Sequence, residues 1–122
     1  MVLYSAADLI WATRIKGTAD QLGVPCRPAR DVAMLEARLA DSDVRALILD
    51  LEAPEPALAM LNRLRGPEAS DEERRIRVMA FGPHVAVELF QQARDAGAND
   101  VLARGAFDRH LPDLLLQLEA RG

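Results

Sequence analysis

Asp50 ends an aliphatic run, Ala46-Leu47-Ile48-Leu49, and Pro54 stands four residues beyond it. A buried strand that delivers a carboxylate to its C-terminal end can offer a nucleophile or a metal ligand. It can equally keep an acid whose chemical partners are gone. Few other side chains compete for a chemical role. His84, after Gly82-Pro83, would need companions to act as base or ligand, and His110 is the only other histidine, on a different element. His84 therefore reads first as a loop histidine, with a site role as the sharper alternative. Cys26 is the only cysteine, which excludes an internal disulfide and every cysteine-based zinc knuckle. Its neighbours Val24 and Pro25 point to a buried thiol.

Composition narrows the class of function. A chain of 122 residues, 50% of them hydrophobic, suits one compact domain over 1–122. A net charge of −4 draws the molecule toward neither nucleic acid nor anionic lipid. No apolar run approaches the roughly 18 residues of a membrane span, and no basic stretch leads into a signal-type apolar one. A cytoplasmic protein is expected. Arg74, Arg75 and Arg77 follow Asp71-Glu72-Glu73, which reads as a solvated linker with compensating charge. No loop carries a glycine-rich nucleotide fingerprint, and no Ser/His/Asp set is placed to act together.

The elements that must position Asp50 follow from the spacing of apolar residues. Val2 to Tyr4 is a short strand. Asp8 can cap a helix in which Trp11, Ile15, Ala19 and Leu22 share a face, and Gly23 ends it. Val24 to Arg27 is a second strand. Asp31 caps a helix with Val32, Leu35 and Leu39 inward, closing around Asp41-Ser42-Asp43. Ala46 to Leu49 lacks alternation, so both of its faces should be covered, as in a central parallel strand. Leu58, Leu61 and Leu64 mark a third helix ended by Gly66-Pro67, and 67–75 reads as a structureless polar connection. Ile76 to Phe81 is a strand, and Pro83 to Ala96 a helix with Val85, Leu89 and Ala93 inward. Asp100 to Ala103 is a fifth strand, and Asp108 caps a last helix through Leu118 with Pro112 near its first turn. Five strands alternating with five helices specify an α/β fold, a five-stranded parallel sheet with helices on both faces. Right-handed crossovers favour the flavodoxin-like order 2-1-3-4-5.

In such a sheet the site lies outside the carboxyl ends of the strands. Ser5 to Asp8, Asp50 to Ala53, Gly82-Pro83-His84 and Arg104-Gly105 collect there. Asp50-Leu51-Glu52-Ala53-Pro54 resembles the phosphoacceptor loop of bacterial response-regulator receiver domains, D-x-x-x-P after a buried third strand. Ala96-Gly97-Ala98-Asn99-Asp100-Val101-Leu102-Ala103-Arg104 is similar to the receivers' segment around strand five. The resemblance covers essentially the whole chain. It implies a role for Asp50 as phosphoacceptor and for Arg104 at the position of the receivers' lysine. Most other chemical positions depart from the pattern. Ala6 and Ala7 stand for the acidic pair, Gly82 for the Thr/Ser, Gly105 for the proline and Val101 for the aromatic switch residue.

These departures have chemical consequences. Aspartyl phosphorylation needs a divalent ion to offset charge, and Mg²⁺ is normally held by more than one carboxylate. Only Asp50 and the Glu52 carbonyl remain to hold it, with Asp8 more simply a helix cap, so no cofactor and no Mg²⁺ is expected. Leu9 and Ile10 make the mouth more apolar, and Arg104 is the expected partner that keeps Asp50 ionised. The leading expectation is a stand-alone pseudo-receiver acting by contact with another signalling protein, and not an enzyme. A competent atypical phosphoacceptor, and a small-molecule binder or enzyme on the same fold, are the alternatives. Receivers form dimers and output contacts through the helix after strand four, strand five and the last helix. Val87, Phe90, Leu115 and Leu118 are the expected interface there, with the Leu114-Leu115-Leu116 run giving extra apolar width.

Overall fold

The unbroken aliphatic strands build a sheet that is covered on both sides. The structure, a computed structural model, describes residues 1–121. Strands β1 (Val2–Ser5), β2 (Cys26–Pro28), β3 (Ala46–Asp50), β4 (Arg77–Gly82) and β5 (Asp100–Ala103) alternate with helices. These are α1 (Leu9–Leu22), α2 (Val32–Asp41), α3 (Pro54–Arg65), the single turn α4 (Asp71–Arg74), α5 (Val87–Asp95) and α6 (Arg104–Arg121). The sheet is all parallel in the order β2-β1-β3-β4-β5, the order the sequence favours. Alternate residues of each strand feed two cores. Val2, Tyr4, Ile48 and Phe81 pack with α1 and α6 through Ile15, Phe107 and Leu115. Leu3, Leu47, Leu49 and Val78 pack with α2, α3 and α5 through Leu35, Leu61 and Ala93.

Local signals set the helix ends. Asp8 and Asp31 have extended backbones and accept the amides of Trp11 and Met34, so each cap satisfies a first-turn donor. Gly23 closes α1 at φ +70°, in the left-handed region that glycine enters without strain. Burial pushes the Cys26 thiol up to about 12, far from the thiolate range.

Four expectations are corrected. The 67–75 connection is not structureless: Ser70 and Glu73 form a reciprocal capping box that nucleates α4. Arg63 ties that turn to α2 by binding both Glu73 and Glu36. The helix expected over Pro83–Ala96 starts only at Val87, because 83–86 form a turn, and Val85 is 73% exposed rather than inward. The last helix starts at Arg104, directly off β5, so Asp108 lies inside it and binds Arg14 instead of capping. Pro112 then falls in the helix interior and leaves the Asp108 carbonyl without its intrahelical donor. Finally, Leu115 and Leu118 are fully buried in the core with Phe107 and Leu111, at spacings of three and four along α6. The apolar width of the helix serves the sheet, and neither leucine is available to a partner. Phe90 is half-buried against the end of β4. Only Val87 of the expected interface set is largely exposed, joined by Leu116.

Candidate functional site

Parallel register brings the ends of β1, β3, β4 and β5 together. Ser5 pairs with Leu49, Asp50 with Phe81, and Gly82 with Ala103, so the loops after all four strands open on one edge. Asp50 sits at the centre and is completely buried. Its Oδ2 accepts the Ala7 amide at 2.8 Å and its Oδ1 accepts the Glu52 amide at 3.0 Å. Burial raises its carboxyl above the ordinary carboxylate value. The two amides, and Arg104 more weakly, pull the other way without reversing the shift.

Arg104 does not hold Asp50, contrary to expectation. Its Nη2 donates to Glu52 Oε1 at 2.6 Å, between side chains that are 37% and 46% exposed. The physical reason is competition. Two main-chain amides already satisfy Asp50 in the interior, whereas Glu52 offers an unclaimed carboxylate at the surface. Arg104 also lies over the Trp11 ring, 5.8 Å from its centroid. An exposed pair of this kind contributes at most about 1 kcal/mol.

The donor set fits Mg²⁺ poorly. Ala6 and Ala7 carry no side-chain oxygen, both Asp50 oxygens already accept amides, and Asp8 Oδ1 accepts the Trp11 amide. Among the described residues no three His, Cys, Asp or Glu side chains group so as to hold an ion. At the end of β4 a Cβ on Gly82 would lie 3.2 Å from both Leu51 Cβ and Phe90 Cε1. The Phe90 ring thus crowds the space a hydroxyl-bearing side chain would need.

Beside Asp50 a cleft of about 510 Å³ opens between α1, the β4–α5 loop and the start of α6. Trp11, Pro83, His84, Arg104, Gly105 and Asp108 line it. His84 and Arg104 therefore meet, while Asp50 is not part of that lining and His110 lies exposed farther along α6. The sequence reading placed Trp11 on the core face of its helix and did not see it as a cleft wall. Its position in the first turn of α1, at the carboxyl edge of the sheet, is the signal that could have shown this. Trp11 is half-buried and backed by Phe81 and Phe107 at centroid distances of 5.2 and 5.9 Å. No helix among the described residues is long and apolar enough to cross a membrane.

No protein-family model matches the sequence, and no curated protein matches it. Solved structures do. The receiver domain of NtrX from Brucella abortus superposes with a TM-score of 0.79 at 18% identity, covering 100% of each chain. A putative response regulator from Chloroflexus aurantiacus gives 0.79 at 20% identity, with 98% and 97% covered. A response regulator from Thermotoga maritima gives 0.75 at 17%, with 98% and 96% covered. The fold is the receiver fold. On that frame Asp50 ends β3 at the carboxyl edge of the sheet, while the loops around it carry alanines, a glycine and an arginine turned to a neighbour.

Proposed function

We propose that this receiver-fold chain is a signalling module that acts by contact with another protein, without Mg²⁺-dependent phosphorylation of Asp50 and without enzymatic turnover. One observation carries the reading. Asp50 is fully buried, and each of its oxygens already accepts a main-chain amide, from Ala7 and from Glu52. A phosphoryl acceptor must present an oxygen lone pair in line with the incoming phosphorus, next to a counter-charge. Here the nearest arginine is paired with Glu52, and alanines stand where a metal-binding acid pair would be. The partner surface is sought on α5, β5 and α6, where Val87 and Leu116 are exposed; a second copy of the chain is one possible occupant. A reducing cytoplasm agrees with a lone, buried cysteine.

The test is intact mass after incubation with acetyl phosphate and Mg²⁺. We expect the wild-type mass to stay unchanged. Stoichiometric phosphate on wild type, absent from Asp50→Ala, would sink this reading and leave an atypical but competent phosphoacceptor.

A further inference from the structure

We propose that the cleft beside Arg104 is a binding site for a small planar molecule carrying one anionic group, of the aromatic carboxylate class. The inference goes beyond signalling by contact and does not depend on the state of Asp50. The polar groups in and around the cleft are unequally used. The one acid lining it, Asp108, takes the Arg14 guanidinium through both oxygens, and Glu52, outside the lining, takes Arg104. The donors are less fully used. Arg104 has five N–H groups and makes a single hydrogen bond among the described residues, while its Nε is buried with no acceptor. A sealed, unanswered donor means that the contact with Glu52 satisfies the guanidinium incompletely. The sealed Nε is out of a ligand's reach, but an anion offered from the cleft side gives the remaining Nη N–H groups the acceptors they lack.

The rest of the lining fits the same class. Trp11 presents an aromatic wall that Phe81 and Phe107 hold in place, and Phe81 and Phe107 are themselves stacked at 4.1 Å. A ring braced in this way loses little freedom when a planar ligand packs on it. Pro83 adds a second apolar surface and His84 an exposed ring at the rim. Gly105, at the exposed edge of the cleft, leaves it unobstructed, since even a Cβ there would meet nothing within 4 Å. Arg104 and Gly105 also begin an 18-residue helix, whose positive end favours an anion. The volume of about 510 Å³ lies inside the roughly 300–1,000 Å³ of small-molecule sites. Together these features select for flatness and for negative charge. A neutral ring would give Arg104 no further acceptor, and a bare anion would leave unused the part of Trp11 that still faces the cleft beside Arg104.

The experiment is a ¹⁵N–¹H titration of the whole chain with 2-naphthoate, and in parallel with neutral 2-naphthylmethanol. Trp11 is the only tryptophan, so its indole N–H gives one assignable signal in the cleft. Naphthoate should move the Trp11 indole and Gly105 amide signals saturably, and naphthylmethanol should bind at least about tenfold more weakly. Arg104→Gln should weaken naphthoate about as much. Glu52→Gln, which frees Arg104 from its competitor, should tighten it and keeps the proposal testable if the arginine variant does not fold. Equal binding of the neutral ring, shifts scattered away from the cleft, no saturable shift, or weaker binding by Glu52→Gln would each overturn the proposal. None of these outcomes bears on phosphate transfer to Asp50, which the mass measurement reads separately.

Discussion

Arg104 binds Glu52 at 2.6 Å and leaves Asp50, two residues earlier in the chain, to the backbone. The acid at the centre of the crevice is therefore held by hydrogen bonds that join two loops, and the arginine is held at the surface. The consequences for each group differ.

Asp50→Ala should destabilise the fold by about 1–3 kcal/mol, because the Ala7 and Glu52 amides lose their acceptor in the interior. Asp50→Asn keeps one acceptor and removes a buried charge, so it should lose less at neutral pH. Urea unfolding of the three proteins measures both differences. A Glu52→Ala change should stay within about 1 kcal/mol of wild type, as befits an exposed pair. If Glu52→Ala proved more damaging than Asp50→Ala, the assignment of the amides as the dominant contacts would be wrong.

The pH response of Asp50 runs opposite to that of a salt-bridged acid. Its folded-state value is raised above the ordinary 3.8 by burial. Between those two values the native chain keeps a proton that the unfolded chain has released. The stability contributed by this group is then fully present below about 3.8 and is lost as pH rises through the folded value. The stability difference between wild type and Asp50→Asn should shift in favour of wild type as the solution is acidified through that window. A ¹³C titration of the Asp50 carboxyl should place its midpoint above 3.8; a midpoint below it contradicts the desolvation argument.

Gly82→Thr should strain the end of β4. The added Cβ would press on Leu51 and Phe90 at 3.2 Å, and overpacking of this kind typically destabilises by about 1–3 kcal/mol. Phe90→Ala in the same chain should recover part of the loss. A double-mutant cycle measures the coupling, and strictly additive effects would show that Phe90 is not the obstacle.

Millimolar Mg²⁺ should leave the wild-type melting temperature unchanged. Ala6→Asp with Ala7→Asp should lower it without metal, through repulsion with Asp50, and make it respond to Mg²⁺. A clear Mg²⁺ shift in wild type would show that Asp50 and the Glu52 carbonyl suffice.

Leu115→Asp should abolish folding, since it places a charge in the core formed with Phe107 and Leu111. Val87→Asp should keep the circular dichroism spectrum and act only on association. Light scattering of wild type and Val87→Asp then reads whether that face joins two copies. Retained structure in Leu115→Asp would contradict its place in the core.

How far the sequence could be read depended on whether a signal was local. Ala46 to Leu49 announced a strand covered on both faces, and Asp8, Asp31 and Gly23 marked helix ends, because each acts within a few residues. The Ser70–Glu73 capping box is equally local, but the charged residues around it mask its pattern. The partner of Arg104 could not be read in the same way. It depended on two amides, of Ala7 and Glu52, whose direction only the folded loops determine. The Leu114–Leu116 run misled for a related reason: the strip of α6 facing the sheet takes Leu115 and Leu118, and only Leu116 turns clearly outward.

The pair of hydrogen bonds to Asp50 bears on how such a chain drifts over generations. Two backbone donors from separate loops converge on one small acceptor, and every replacement short of aspartate loses an oxygen or reaches differently. Selection for a folded chain would then keep the acid whether or not a kinase ever reached it. The side chains of Ala6 and Ala7 accept no such hydrogen bonds, and Gly82 is constrained by packing against Leu51 and Phe90 instead. An aspartate at this strand end can therefore persist on architectural grounds alone.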